Sequence, residues 1–108
     1  MIREKILWEK NMESLFVMAQ VAPTEYPKDN LQKAGSLVKE AVGKYHPGMI
    51  IFPETFMSRF PAGTDIATAN AVAEPLDGEF VQGMKKLAAD HDVWLTFGMK
   101  ETIEDPAD

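Results

Sequence analysis

Residues 49–56 read Met-Ile-Ile-Phe-Pro-Glu-Thr-Phe, an apolar run that ends in a proline and a glutamate. A short, wholly apolar run is typical of a strand that is buried on both faces, as in a parallel sheet. Pro53 cannot donate to a ladder, so the strand is expected to end before it. Glu54 is therefore predicted to lie where a parallel strand ends, which is the edge at which open α/β folds build their sites. A carboxylate in that position suits a general base.

The segments before this run predict a strand and a helix. Residues 14–22 form a nearly continuous apolar run that stops at Pro23, which indicates a first buried strand. Asp29, with Gln32 three residues later, predicts a helix start, and the apolar residues that follow recur at helical spacing. We expect this helix to end at Gly43 or shortly after. A helical connection of this kind makes the strands before and after it parallel.

The segments after residue 56 repeat the alternation. Residues 56–75 are predicted to form a loop facing the site, with a helical turn in the alanine-rich stretch 67–73. Asp77-Gly78 opens a second helix that is expected to close near Asp90, and residues 93–99 supply a third strand. The predicted fold class is α/β, with the order β-α-β-α-β and a mainly parallel sheet.

The predicted fold leaves one face of its sheet without cover. Parallel sheets need both faces covered, yet two right-handed crossover helices lie on the same face. We therefore expect residues 14–108 to be the amino-terminal part of an incomplete domain, or to be completed by a partner. Residues 1–13 are interpreted as an amino-terminal extension, either a short helix with Ile2, Ile6 and Trp8 on its apolar side and Trp8 covering an edge, or a frayed terminus.

Composition limits the possible partners and compartments. A chain of 108 residues has room for one core, and its 17 acidic and 11 basic residues give a net charge of −6. This charge argues against nucleic acid and against an anionic membrane as partners. The sequence has no cysteine, hence neither a disulfide nor a thiol nucleophile among these residues. Charges interrupt every apolar stretch near the start, which favours a cytoplasmic protein over a secreted one.

Few other residues are candidates for chemistry. Phe56 and Phe60 are expected to form apolar walls that raise the pKa of Glu54, although a glutamate after a strand is most often a solvated loop residue or a cap. The substrate-binding residues are left open, with Phe60 and Arg59 as candidates. Arg59 would bind a carboxylate of the substrate; the alternative is that it is an exposed arginine without a role in binding.

His46 and His91 lack the spacing of a zinc pair, so no metal site is predicted.

The order of these motifs resembles a known family. Residues 49–56 are preceded by Phe-Val-Met-Ala-Gln at 16–20 and by a helix that contains Asn30-Leu31; Glu-Pro-Leu-Asp-Gly follows at 74–78, and Trp-Leu-Thr-Phe-Gly at 94–98. Over Leu15 to Glu101 this series is similar to the nitrilase superfamily of carbon–nitrogen hydrolases. The resemblance implies a partial αββα sandwich.

The resemblance also implies a reaction. In this superfamily a glutamate, a lysine and a cysteine act together on a non-peptide C–N bond, such as that of a small amide or nitrile, without metal or organic cofactor, and the proteins associate as homo-oligomers. Glu54 matches the glutamate. The lysine and cysteine follow the third strand in the family and have no counterpart here, since Lys100 lies too early in the pattern. The chain by itself is therefore expected to be inactive. The alternative is a non-catalytic α/β binding module in which Glu54 has a structural role.

Overall fold

The computed structural model describes the backbone of residues 2–9 and 12–102, and the side chains of residues 15–102. Strands and helices alternate along most of this part of the chain. Their order is β1 (Ile2–Glu9), β2 (Met12–Ala19), α1 (Pro27–Tyr45), β3 (Met49–Ile51), α2 (Ile66–Asn70), α3 (Glu79–His91) and β4 (Trp94–Thr96). No helix in these residues is long and apolar enough to cross a membrane.

The four strands form one sheet in the order β1-β2-β3-β4. Strands β2, β3 and β4 are parallel, and β1 pairs with β2 in the antiparallel sense. The predicted β-α-β-α-β order and the mainly parallel sheet are therefore confirmed. They agree with a partial αββα sandwich, of which this chain supplies one sheet and the helices on one of its faces.

For the amino-terminal extension a short helix and a frayed terminus were the two alternatives, and the helix was wrong. Residues 2–9 form strand β1, because the open edge of β2 presents backbone groups that a neighbouring strand can pair with. The even spacing of Ile2, Ile6 and Trp8 fits a strand as well as a helix, and it was the signal that we misread. The side chain of Trp8, for which we expected an edge-covering role, lies outside the part of the chain whose side chains are described.

Helix α1 begins at Pro27, before the predicted cap at Asp29. Proline is well suited to the first position of a helix, because its fixed φ is helical and its missing N–H would have no partner there. Asp29 instead lies in the first turn, where a carboxylate interacts favourably with the helix dipole. At the other end His46 adopts a left-handed conformation (φ 48°) and its N–H donates to the Val42 carbonyl, which ends the helix close to the predicted position.

Helix α3 begins after Gly78, as predicted, but a more distant residue caps it. Gly78 has no side chain to accept from the first amides, and Glu74 Oε1 takes that role at 2.8 Å from the Phe80 amide. The Glu74 backbone is itself held by the segment after β4, since its N–H donates to the Lys100 carbonyl and its carbonyl accepts from the Thr102 amide. The start of α3 is thereby connected to the segment that follows β4.

Strand β4 is shorter than the predicted 93–99. Its partner β3 spans only Met49–Ile51, so pairing ends at Thr96, and the chain from Phe97 onward turns to contact the loop after β3 instead. Strand β2 likewise ends at Ala19, before Pro23, because Met18 is the last of its residues that is paired with β3.

The core lies between the sheet and the two long helices. Val17 and Ile50 occupy one register row, together with Leu95, and they point to the side on which α1 packs against α3. Four aromatic rings extend this core toward the carboxyl ends of the strands. Their centroids are 4.5 Å apart for Phe52 and Phe56, 6.2 Å for Phe56 and Phe80, and 5.6 Å for Phe80 and Phe97.

No helix or strand among the described residues covers the other face of the sheet. The neighbouring register rows place Phe16, Met49 and Trp94 in one line and Met18, Ile51 and Thr96 in another. Trp94 is 75% exposed and Met18 is 44% exposed. Both long helices lie on the opposite side, as the crossover argument predicted. We call the surface formed by these two rows the open sheet face.

Candidate active site

Glu54 lies beyond the carboxyl end of β3, at the sheet edge to which the parallel strands β2 and β4 also lead. The Phe52 N–H donates to the Thr96 carbonyl at 2.9 Å, which is the last bond of the β3–β4 ladder. Pro53 then begins a turn in which its carbonyl accepts from the Phe56 amide at 3.1 Å. The Glu54 side chain is exposed on this turn. A carboxylate at this edge can reach a molecule bound across the strand ends.

The turn after β3 rests directly on the chain that follows β4. The Met57 N–H donates to the Gly98 carbonyl at 3.4 Å, and the Lys100 N–H lies 3.2 Å from the Met57 sulfur. A Cβ atom on Gly98 would overlap the carbonyl oxygen of Glu54. Glycine is therefore required at this position because the backbone of Glu54 comes too close for any side chain. Together these contacts determine where the Glu54 backbone lies.

A second set of contacts joins the turn to helix α1, through Asn30. This side chain is fully buried: its Oδ1 accepts from the Thr24 amide at 2.8 Å, and its Nδ2 donates to the carbonyls of Thr24 (2.8 Å) and Met57 (2.9 Å). The Arg59 N–H also donates to the Thr24 carbonyl, at 2.9 Å. The loop after β2 and the turn after β3 are therefore held together by one buried amide. A buried polar group needs such partners, because an unpaired one is costly.

The predicted apolar walls around Glu54 do not form. Phe56 is fully buried and faces the core, where it packs against Phe52 and Phe80, so it does not cover the exposed carboxylate. Phe60 instead contacts Lys100, whose Nζ lies 4.9 Å from the centre of the ring. Both aromatic residues are near Glu54 along the chain, but the Phe56 ring turns toward the larger apolar surface available in the core, and the Phe60 ring is engaged by Lys100.

Lys100 connects the long loop to the end of the sheet. Its Nζ donates to the Ala69 carbonyl at 3.0 Å, in addition to its contact with the Phe60 ring. The ammonium group therefore has protein partners of its own.

Two hollows flank the turn that carries Glu54. A groove of about 450 Å³ crosses the carboxyl ends of β2 and β3; its lining is mostly apolar, and Arg59 is the charged residue in it. A smaller cavity of about 70 Å³ lies between the turn and the segment after β4, and Glu54, Ser58 and Lys100 are among its lining residues. Pro53 lines the groove and Glu54 lines the cavity, so the two hollows adjoin at this point of the turn.

The histidines lie away from this site. His46 ends helix α1, and His91 Nδ1 lies 3.0 Å from the Leu87 carbonyl near the end of α3. Among the residues that the structure describes, no group of three or more histidine and carboxylate side chains is placed to hold a metal ion.

Comparison with known proteins supplies the family. The family model described as Carbon-nitrogen hydrolase matches residues 17–106, which is most of the chain. The chain belongs to the carbon-nitrogen hydrolase family. The resemblance to the nitrilase superfamily that we drew from the motif order is thereby confirmed, and the parallel sheet with its exposed edge agrees with it. A search of curated proteins gave no match.

Sequence reasoning located the candidate base of this carbon-nitrogen hydrolase but not the residues that hold its turn. Asn30 and Gly98 were noted as parts of motifs, without a role. A signal did exist for Gly98, since a glycine at the end of a strand often marks a close backbone approach. For Asn30 the sequence carries no such signal, because its role depends on partners that only the fold brings near.

Proposed function

We propose that Glu54 is the general base of a nitrilase-type hydrolase that acts on a small amide or nitrile through a glutamate, a lysine and a cysteine. The observation that carries the proposal is the position of Glu54: an exposed carboxylate on a hydrogen-bonded turn, at the carboxyl edge of a parallel sheet, in a chain of the carbon-nitrogen hydrolase family. Buried contacts of Gly98 and Asn30 hold its backbone, as a positioned base requires.

The proposed chemistry assigns one proton path to Glu54. A thiol with an ordinary pKa of about 8.5 needs a base to become a nucleophile. The Glu54 carboxylate takes the thiol proton, the thiolate attacks the amide carbon, and the tetrahedral oxyanion is held by a lysine. Glu54 then returns the proton to the leaving amine as the C–N bond breaks. A water finally hydrolyses the thioester and restores the thiol.

Two of these groups must come from outside the chain described here. It contains no cysteine, and Lys100 donates to Ala69 and contacts Phe60. We therefore propose that residues 1–108 by themselves do not turn over substrate. The open sheet face supports this view, since in an αββα sandwich it would be covered by a second sheet. Association into homo-oligomers is part of the same proposal.

We also propose that the groove beside the turn receives the part of the substrate that does not react. Its apolar lining suits a hydrocarbon group, and the guanidinium of Arg59 suits a carboxylate on that group. Phe60 is less suited to contact substrate because its ring is engaged by Lys100. An anionic amide or nitrile is thus the favoured substrate class.

The test uses the chain together with a hydrolase segment that supplies the missing cysteine and lysine. The chain alone should hydrolyse no amide or nitrile above background, and the co-expressed pair should recover turnover. Glu54→Gln, which keeps the shape but cannot accept a proton at neutral pH, should abolish this turnover and leave assembly intact. Glu101→Gln, at another exposed glutamate, is the matched control and should remain active. Equal rates for the Glu54→Gln pair and its parent would refute the proposal.

A further inference from the structure

Segment 61–73 of the long loop between β3 and α3 is weakly attached to the rest of the protein. Its backbone hydrogen bonds run within the segment, as from Ala69 to Asp65 and from Ala71 to Ala67. The hydrogen bonds of its own side chains also stay within it. Helix α2 contributes no buried residue, and a helix of five residues is too short to be stable by itself in water. Another part of the chain must therefore hold this segment in place.

The side chain of Lys100 supplies the attachment. Its Nζ donates to the Ala69 carbonyl at 3.0 Å, and among the described residues this is the one hydrogen bond between segment 61–73 and the rest of the chain. The ammonium group also lies 4.9 Å from the centre of the Phe60 ring, which is within the range of a cation–π contact. Lys100 thus reaches both ends of the segment, through Phe60 directly before it and through Ala69 near the end of α2.

The backbone of Lys100 is held independently of these two contacts. Its N–H lies 3.2 Å from the Met57 sulfur, and its carbonyl accepts from the Glu74 amide at 3.0 Å. Loss of the ammonium group would therefore release segment 61–73 and leave the backbone of Lys100 in place.

We propose that Lys100 is a latch, and that segment 61–73 is a flap at the carboxyl end of the sheet, which opens when the ammonium group leaves the Ala69 carbonyl. Arg59, two residues before the flap, lines the groove across the ends of β2 and β3. Lys100 itself lines the small cavity beside the turn that carries Glu54. The flap is thus attached beside both hollows of the candidate active site.

The functional meaning of the latch rests on the proposed function. Flaps close over bound substrate in many enzymes, and their opening often sets the rate of product release. A flap held by one hydrogen bond and one ring contact opens at small cost, since segments with few buried contacts have low local stability. Lys100 is then a positioning residue that acts through the flap and takes no part in breaking the C–N bond.

Hydrogen exchange of the chain itself tests the latch. In Lys100→Met, which keeps an unbranched side chain but has no donor, the amides of Ala69 and Ala71 should exchange about tenfold faster or more, because a hydrogen bond to a charged group is lost. The amides of α1 should exchange as in the parent. Lys100→Arg keeps the charge and the donors, and it should restore most of the protection. Lys86→Met, at an exposed lysine of α3, is the matched control and should change neither set of amides.

Cleavage by elastase gives a second readout, because this protease cuts after small apolar residues and the flap is rich in alanine. Mass spectrometry should show faster cleavage at residues 67–73 in Lys100→Met than in the parent. Phe60→Leu removes the ring contact and keeps an apolar side chain, so it should accelerate exchange and cleavage by a smaller factor.

Three results would overturn the proposal: unchanged exchange of the flap amides in Lys100→Met, an equal acceleration in α1, or a Lys100→Arg variant that behaves like Lys100→Met. If Lys100→Met does not fold, unchanged exchange in Phe60→Leu overturns it instead. None of these measurements needs turnover, so they fail or succeed independently of the catalytic role of Glu54.

Discussion

Single residues at the end of the sheet determine where Glu54 lies. Gly98 allows the Glu54 carbonyl to approach the chain after β4, and Asn30 joins Met57 to the start of helix α1. Neither residue carries out chemistry in the proposed reaction. Their effect is on the backbone of the turn, and small displacements of a catalytic group are known to have large effects on rate.

Replacement of Gly98 by Ala is expected to displace the turn. The new Cβ overlaps the backbone of Glu54, which unlike a flexible side chain cannot move aside without a change in the loop. Overpacking of this kind costs about 1–3 kcal/mol of unfolding free energy. Urea unfolding should show this loss, and amide shifts should change at residues 53–58. Gly48→Ala is the matched control, since no atom lies within 4 Å of the position of its Cβ. Unchanged shifts at residues 53–58 in Gly98→Ala would contradict the close approach.

Replacement of Asn30 by Leu should be more damaging. It removes the four side-chain hydrogen bonds of Asn30 and leaves the half-buried Thr24 amide and the buried Met57 carbonyl without this partner. Each buried group left unpaired costs about 1–3 kcal/mol, so a total loss of about 2–5 kcal/mol is expected. Chemical denaturation measures this directly. Gln32→Leu, on the exposed surface of the same helix, should change stability little. A similar stability for the two variants would show that the amide of Asn30 does not hold the loops together.

At the scale of elements, the long loop between β3 and α3 is attached to the end of the parallel sheet. This loop contains α2, a five-residue helix that is capped by Asp65 and contributes no buried residue. Its carboxylate accepts from the Thr68 amide at 2.7 Å and from the Thr68 hydroxyl at 2.9 Å. The loop is attached to the end of the sheet by Lys100, through Ala69.

The start of α2 should be sensitive to acid. The hydrogen bonds from Thr68 lower the pKa of Asp65 below its ordinary value, since they stabilise the charged form. A carboxyl whose pKa is lowered in the folded state contributes stability above its unfolded pKa, and loses it as the pH falls through the folded pKa. We expect the Thr68 amide signal to move toward that of an uncapped helix below about pH 4.

An NMR titration of the Asp65 carboxyl and the Thr68 amide tests this expectation. Asp65→Ala should remove the acid-dependent change at Thr68, while signals of α1 remain as in the parent. A Thr68 amide shift that titrates equally in the parent and in Asp65→Ala would assign the effect to another group.

At the scale of the whole molecule, one face of the sheet is built as a core surface and yet is exposed in this chain. Large apolar patches are rare on isolated domains, and they mark surfaces that other chain segments cover. The open sheet face combines Phe16, Met49 and Trp94 with Met18 and Ile51. The αββα architecture of the family accounts for this surface.

The isolated chain should therefore bind a hydrophobic dye or self-associate. Replacement of Met18 and Trp94, the two most exposed apolar residues of this face, by Thr should reduce both effects, because a threonine fits a strand and exposes less apolar surface. Dye fluorescence and sedimentation velocity provide the measurements. Leu76→Thr, at an exposed apolar residue in a loop, is the control. A compact monomer of the parent chain that binds no dye would contradict the role of the face.

The sequence by itself determined the alternation of strands and helices, the parallel sheet, the position of Glu54 after β3 and the family. These follow from local patterns: apolar runs that end at prolines, helical spacing of apolar residues, and a fixed order of short motifs. Such patterns depend on neighbouring residues, which the sequence shows directly.

Only the tertiary structure decided which side chains surround Glu54. Phe56 and Phe60 are close in sequence, yet one packs in the core and the other contacts Lys100. Asn30 and Met57 are 27 residues apart, and their hydrogen bond exists because α1 and the turn after β3 meet at one end of the sheet. The pairing of β1 with β2 was likewise set by an open strand edge. Contacts of this kind depend on packing and on the satisfaction of buried polar groups, which are properties of the folded chain as a whole.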